Sequence, residues 1–172
     1  IHWREFLVPL EETMKAMNEI VDLWLVKNIW VSDFSWKSLK EAQKYSKHKV
    51  VANQVHYNFI YREPERTGLL EYCQKNDIML IAWRPVELWK IIEAKNEILD
   101  KMVKKYNKTP AQIAINWLIS QKNVVTLAKT SNTKHLDDNL GYSWWNLSQE
   151  DIEILRNEYP WQQDVSNSIP LE

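Results

Sequence analysis

Polar side chains capable of chemistry gather at five points of the chain, each at or just past a short apolar run. They are His2-Trp3, Ser32-Asp33, Asn53-Gln54, Trp83-Arg84 and Lys129-Thr130-Ser131. In parallel α/β folds, functional residues collect at the carboxyl ends of the strands. Any one of these groups has an ordinary explanation as a turn, a cap or a satisfied core polar group. Taken together they predict a lined pocket. Lys129-Thr130-Ser131-Asn132 falls between a predicted strand and a helix. A cation, two hydroxyls and free backbone N–H groups could converge there on an anion such as a phosphate; the alternative is a Ser/Asn cap with a solvent-facing lysine. His48, His56 and His135 have no ligand spacing with one another or with Cys73, so no metal site is expected. Cys73, in the helical stretch Leu69-Leu70-Glu71-Tyr72-Cys73, reads as a small core residue rather than a nucleophile.

The elements that would position these residues follow from periodicity. Leu10, Met14, Met17, Ile20 and Val21 mark one face of a helix. Residues 28–32 read as a strand, with Ser35 capping a helix that buries Leu39 and Ala42. Val50 to Val55 is the next strand, Pro64 opens a helix running through Leu70 and Cys73, and Ile78 to Trp83 is a further strand. A helix carrying Ile98, Leu99, Met102, Val103 and Tyr106 follows. Thr109-Pro110-Ala111-Gln112 then has the form of a capping box and leads into Ile113, Ala114, Trp117 and Leu118. Val124 to Ala128 is a fourth strand, Lys134 to Leu140 a short helix, and Ser148 with Asp151 caps a last helix through Ile152 and Leu155. Strands alternating with helices imply right-handed parallel βαβ units, in an open sheet or a barrel. Four strands are half of what a closed eight-stranded barrel needs, and the chain opens on Ile1-His2-Trp3 without a start methionine. The expectation is therefore one domain over residues 1–172 that belongs to a larger barrel.

Composition narrows the classes of function. Of 172 residues, 45% are apolar, and 22 basic against 23 acidic residues give a net charge of −1. No basic face points to nucleic acid, no apolar run reaches membrane-spanning length, and a single cysteine allows no internal disulfide. A reduced, cytoplasmic protein is expected. Two counts are abnormal: glycine occurs twice and tryptophan ten times, where glycine alone normally makes up about 7% of residues.

Along nearly its whole length the chain resembles the aldo-keto reductases. The matching stretches are His2-Trp3, Val8-Pro9-Leu10-Glu11-Glu12-Thr13-Met14, Ile29-Trp30-Val31-Ser32-Asp33-Phe34-Ser35, Asn53-Gln54-Val55-His56-Tyr57-Asn58, Ile81-Ala82-Trp83-Arg84-Pro85, Thr109-Pro110-Ala111-Gln112-Ile113-Ala114, Asn116-Trp117-Leu118, and Lys129-Thr130-Ser131 with His135-Leu136 and Asn139-Leu140. The resemblance implies a (β/α)8 TIM barrel, of which this chain would be the C-terminal part, from about the end of strand 4 to strand 8 and the C-terminal helix. It implies NADP-dependent reduction of a small aldehyde or ketone, and it leaves the oligomeric state open. His2 matches the histidine that orients the carbonyl oxygen, and Trp3 a residue of the substrate pocket. Ser32, Asp33 and Gln54 match positions at the nicotinamide carboxamide, Trp83 matches the ring that stacks on the nicotinamide, and Arg84 could approach the pyrophosphate. Lys129, Thr130 and Ser131 match the loop on the adenosine 2′-phosphate, with His135, Asp138 and Asn139 at the adenine end.

Departures from the family pattern bear on function. Asp33 stands where the family has asparagine, and a carboxylate cannot donate to the carboxamide oxygen. His135 replaces a residue that is commonly arginine, which brings NAD into consideration beside NADP. The family's catalytic aspartate, tyrosine and lysine match no residue here and are expected before Ile1, so this polypeptide alone is expected to be inactive. An alternative is a non-catalytic, regulatory nicotinamide-nucleotide-binding barrel. A stand-alone half barrel with an exposed strand edge is a third. Trp24, Trp30, Trp89, Trp144 and Trp161 stand where the family has glycine; Trp3, Trp83, Trp117 and Trp145 fit the pattern, and Trp36 falls in neither group. Trp24 follows a helix, where a left-handed residue is expected, and Trp30 lies in a strand expected to be tightly packed. Some bacteria read the codon UGA as glycine, and translating such a gene with UGA as tryptophan would produce this pattern. A divergent, aromatic-rich protein is the alternative.

Overall fold

The computed structural model describes residues 1–2, 7–87, 90–93, 95–130 and 132–171; within 133–140 the side chains of residues 134, 135 and 139 lie outside the description. The chain begins with helix α1 (Leu10–Asp22), followed by β1 (Ile29–Ser32), α2 (Trp36–Tyr45), β2 (Val50–His56), α3 (Glu63–Arg66), α4 (Leu69–Lys75) and β3 (Met79–Trp83). It continues through α5 (Lys90–Glu93), α6 (Glu97–Tyr106), α7 (Pro110–Ile119), β4 (Val124–Thr126), α8 (Thr133–Leu140) and α9 (Gln149–Glu158). The four strands form one parallel sheet in the order β1-β2-β3-β4. None of the described helices is long and apolar enough to cross a membrane.

The helix starts follow from local chemistry. Ser35, Thr109 and Ser148 each accept a hydrogen bond from the backbone N–H three residues on, and Gln112 returns the bond to Thr109, completing the capping box. Asn96 caps α6 by accepting from Ile98 and Leu99, a cap the periodicity alone does not announce. The single helix expected from Pro64 through Cys73 is instead two. Gly68 adopts φ +83°, a left-handed conformation that no helix continues through, so α3 stops and α4 restarts at a new angle. β4 is also shorter than the apolar run and ends at Thr126.

Parallel register divides the sheet into two faces. Val31, Asn53, Val55, Leu80, Ala82 and Val124 lie on one, all buried, where α2, α4 and α7 pack on β2, β3 and β4. Trp30, Ser32, Ala52, Gln54, His56, Met79, Ile81, Trp83 and Val125 lie on the other. The second face is the more open, with Trp30, Met79 and Val125 exposed. Trp30 lies on this second face at 39% exposure, in a sheet that spans only part of the barrel. Cys73 meets expectation, buried in the core, its thiol pushed up to about 12 by desolvation.

Trp24 and Trp144 combine exposure with an unfavourable backbone. Trp24 has φ +61° and is 90% exposed; Trp144 has φ +71° and is fully exposed. The Trp24 N–H bonds the Val21 carbonyl and the Leu25 N–H bonds the Ile20 carbonyl, which is the Schellman closure of α1 with tryptophan in the glycine position. By contrast Trp117 is wholly buried and donates to the Ile152 carbonyl, and Trp145 is half-buried with its N–H on the Gly141 carbonyl. Trp161 is 48% exposed, and Trp89 lies outside the described residues.

Candidate active site at the carboxyl ends of the strands

Register brings the predicted residues of β1, β2 and β3 to one end of one face. Ser32 pairs with Gln54, Gln54 with Ile81, and His56 with Trp83. The turn after β1 is held from both sides. Asn53 donates to the Phe34 carbonyl at 2.7 Å and accepts from the Phe34 N–H at 3.4 Å, while the Asp33 N–H bonds the Gln54 carbonyl at 2.9 Å. These bonds fix Asp33 at φ +59°, a region that short polar side chains tolerate best.

Asp33 is the polar centre of this end. Its Oδ2 accepts from Ser32 Oγ at 3.0 Å, and its Oδ1 lies 3.5 Å from the Trp83 indole N–H. Burial raises its carboxyl above the usual range, against the opposing pull of Ser32, Trp83, His56 and His2. Ser32 Oγ also lies 3.0 Å from the Gln54 carbonyl. Gln54 is half-buried, and its side-chain amide has no partner among the described residues. A donor and an acceptor on that open face suit a ligand carboxamide.

His2 is exposed at the β1 edge of the sheet. The Ile1 nitrogen lies 2.7 Å from the Trp30 carbonyl, and His2 is within electrostatic reach of Asp33. Trp83 is half-buried and Arg84, at φ +56°, carries its guanidinium 4.9 Å from the Trp83 ring. Arg84 is also engaged by Ser168 of the C-terminal segment and lies 3.9 Å from Glu87. It is thus held against the indole rather than extended into solvent.

The second predicted cluster follows β4. Lys129 is exposed; Thr130 Oγ1 accepts from the Asn132 N–H at 3.1 Å. Asn132 in turn accepts, through its carbonyl, the Leu136 N–H at the start of α8. The Asp138 carbonyl accepts from Gln112 Nε2 at 2.8 Å, which ties α8 to α7. Trp3, Ser131 and the side chains of His135 and Asn139 lie outside the described residues. Three strand spacings separate β1 from β4, roughly 14 Å, so the two clusters sit at the two sides of one end of the sheet.

One cluster escaped sequence reasoning. His56 lies on the open face two residues beyond Gln54, and its ring nitrogens bond Ser166 and Glu87. The parity of β2 could have revealed His56, but no local signal joins it to residues 31 and 110 positions away.

Parallel strands alternating with helices, with polar residues collected at their carboxyl ends, are the layout of a (β/α)8-barrel protein, of which this chain forms a part. The aldo/keto reductase family model matches residues 1–159, and the chain belongs to that family. It is 34% identical over 150 residues to aldose reductase C of Dictyostelium discoideum, covering 87% of this chain and 46% of that protein. It is 32% identical over 161 residues to the 9,11-endoperoxide prostaglandin H2 reductase of Trypanosoma cruzi, covering 90% and 53%. Among solved structures, the thermostable aldo-keto reductase Tm1743, in complex with the inhibitor epalrestat, superposes with a TM-score of 0.87 at 39% identity, covering 91% of this chain and 57% of that one. A putative 2,5-diketo-D-gluconic acid reductase B superposes with a TM-score of 0.88 at 25% identity, covering 99% and 59%. The chain thus spans about half the length of the curated relatives it matches.

Proposed function

We propose that this chain is the cofactor-holding side of an NADPH-dependent reductase that converts a small aldehyde or ketone to an alcohol. The observation that carries this reading is the half-buried amide of Gln54, without a partner among the described residues, in register with Ser32 and on the same face of the sheet as the half-buried Trp83. Ser32 and Gln54 would hold the nicotinamide carboxamide, and Trp83 would supply an apolar plane for the ring. Lys129, Thr130 and Ser131, with His135, Asp138 and Asn139 beyond them, would take the adenosine 2′-phosphate and adenine, which favours NADP over NAD. The bound nicotinamide supplies a hydride. His2 would hydrogen-bond the carbonyl oxygen and fix its orientation, with Trp3 at the substrate. No residue of 1–172 matches the family's tyrosine proton donor or the lysine and aspartate that tune it, so these residues would bind cofactor and orient the carbonyl without completing the reaction.

Titration of the chain with NADPH and NADH, followed by tryptophan fluorescence and energy transfer to the dihydronicotinamide, tests the reading. NADPH is expected to bind more tightly than NADH, and Lys129→Ala to remove most of the difference. Equal affinity for both, unaffected by Lys129→Ala, would rule out a 2′-phosphate site on this loop. Absence of any binding by the chain would overturn the proposal for residues 1–172.

A further inference from the structure

Behind Trp83 lies a polar network that the proposed function does not use. The side chains of His56 and Glu87 are each 1% exposed, and Ser166 is buried with them. His56 Nδ1 lies 2.7 Å from Ser166 Oγ, and Nε2 lies 2.6 Å from Glu87 Oε2. Ser166 Oγ already accepts from the N–H groups of Ser168 and Ile169, both at 3.1 Å. With both lone pairs used, the hydroxyl has its own proton to donate, and it donates to Nδ1. Nε2 then carries the ring proton and donates to Glu87. The tautomer is set by the neighbours, not by the ring.

Asn58 closes the network. Its amide donates to the Arg84 carbonyl at 2.9 Å and to Glu87 Oε2 at 3.2 Å, and its Oδ1 accepts from the N–H groups of Ile60 and Tyr61. A histidine fastened at both nitrogens cannot turn about its ring axis. Its ring lies 4.6 Å from the Trp83 ring at an interplanar angle of 24°, and 4.4 Å from the Tyr61 ring. Tyr61, His56 and Trp83 thus form a packed series whose last member reaches the open face.

We propose that His56 is a positioning residue for the nicotinamide: locked between Glu87 and Ser166, it sets the plane of Trp83, and through Ser166 the C-terminal segment takes part in cofactor geometry. This rests on the reading that Trp83 carries the nicotinamide ring. A tilted or mobile Trp83 would weaken contact with the nicotinamide while leaving the adenosine end, beyond β4, untouched.

The test compares two probes on the full chain: NADPH, and 2′,5′-ADP, which lacks the nicotinamide. His56→Ala is expected to weaken NADPH binding about three- to tenfold, the range of one lost aromatic stacking contact. Binding of 2′,5′-ADP is expected to stay unchanged. Ser166→Ala, which removes the bond to His56 together with the two that Ser166 Oγ accepts from Ser168 and Ile169, is expected to act in the same direction by about twofold. His56→Phe keeps a ring against Trp83 and is expected to recover part of the NADPH affinity lost in His56→Ala. Should His56→Ala fail to fold, the comparison rests on Ser166→Ala and His56→Phe. Equal weakening of both probes would reduce His56 to a packing residue and overturn the proposal, as would unchanged NADPH affinity in every variant. If the unaltered chain binds 2′,5′-ADP but not NADPH, the assignment of Trp83 fails first and the proposal falls with it.

Discussion

Replacing Trp24 and Trp144 by glycine together is expected to stabilise the chain. Both have left-handed φ, +61° and +71°, and both indoles stand almost wholly in water, so the substitution removes little packing. Holding a residue with a Cβ in that region costs roughly 1–2 kcal/mol. Glycine returns about 0.4–1 kcal/mol of this by widening the unfolded ensemble. The net gain is about 0.8 kcal/mol at each position, or about 1.5 kcal/mol for the pair. At ~2–4 °C per kcal/mol for a chain of this size, Tm rises by about 3–6 °C. Differential scanning fluorimetry reads the shift, with Trp117→Gly as the opposite case: that ring is wholly buried against Tyr57 and Phe59, and its loss costs about 3–5 kcal/mol. Trp30→Gly separates backbone strain from family pattern. Trp30 sits in β1 without a left-handed φ, and glycine there is expected to cost about 0.5–1 kcal/mol. A fall in Tm for the Trp24→Gly, Trp144→Gly pair would refute the reasoning. At the gene, UGA at both codons is expected, and UGG at both would make these tryptophans genuine.

Three further outcomes follow from the geometry. Because burial raises the Asp33 carboxyl, its contribution to stability is greatest below its unfolded value and is lost as pH rises through its folded value; Asp33→Asn should therefore raise Tm at neutral pH and remove the acid-side change, checked by melting from pH 4 to 8. Burial pushes Asp151 up, but bonds from Lys105, Tyr106 and Ser148 outweigh it and hold the carboxyl below its usual range. Its stabilisation is present above the unfolded value and lost as pH falls through the folded one, so Asp151→Asn should cost about 1 kcal/mol at neutral pH and progressively less in acid, by urea denaturation. Gly68→Ala should cost about 0.8 kcal/mol, the roughly 1–2 kcal/mol of strain at φ +83° less about 0.4–1 kcal/mol from the narrower unfolded ensemble, since a Cβ there meets no atom within 4 Å; an unchanged urea midpoint would contradict that.

Much of the fold could be read from residues near one another in the chain. The capping box at Thr109 and Gln112, the caps at Ser35 and Ser148, and the apolar runs of β2 and β3 are local signals, and each element formed where its signal stood. The break at Gly68 was less legible: an isolated glycine inside an amphipathic pattern is compatible with a continuous helix, and packing of α3 and α4 selects the left-handed alternative. The short β4 likewise ends where pairing with β3 ends, not where the apolar run does.

The candidate site divides in the same way. The sequence by itself determined the family, the parallel α/β order and the polar residues at the strand ends, because strand parity and capping depend on neighbours within a few positions. Tertiary structure alone decided that Ser32 and Gln54 stand opposite each other, and that Asp33 meets the Trp83 indole across 50 residues. It also decided that Arg84 is held by Ser168, and that His56 is fixed between Glu87 and Ser166. Such contacts arise from the register of parallel strands and the return path of the chain, which no spacing in one dimension encodes.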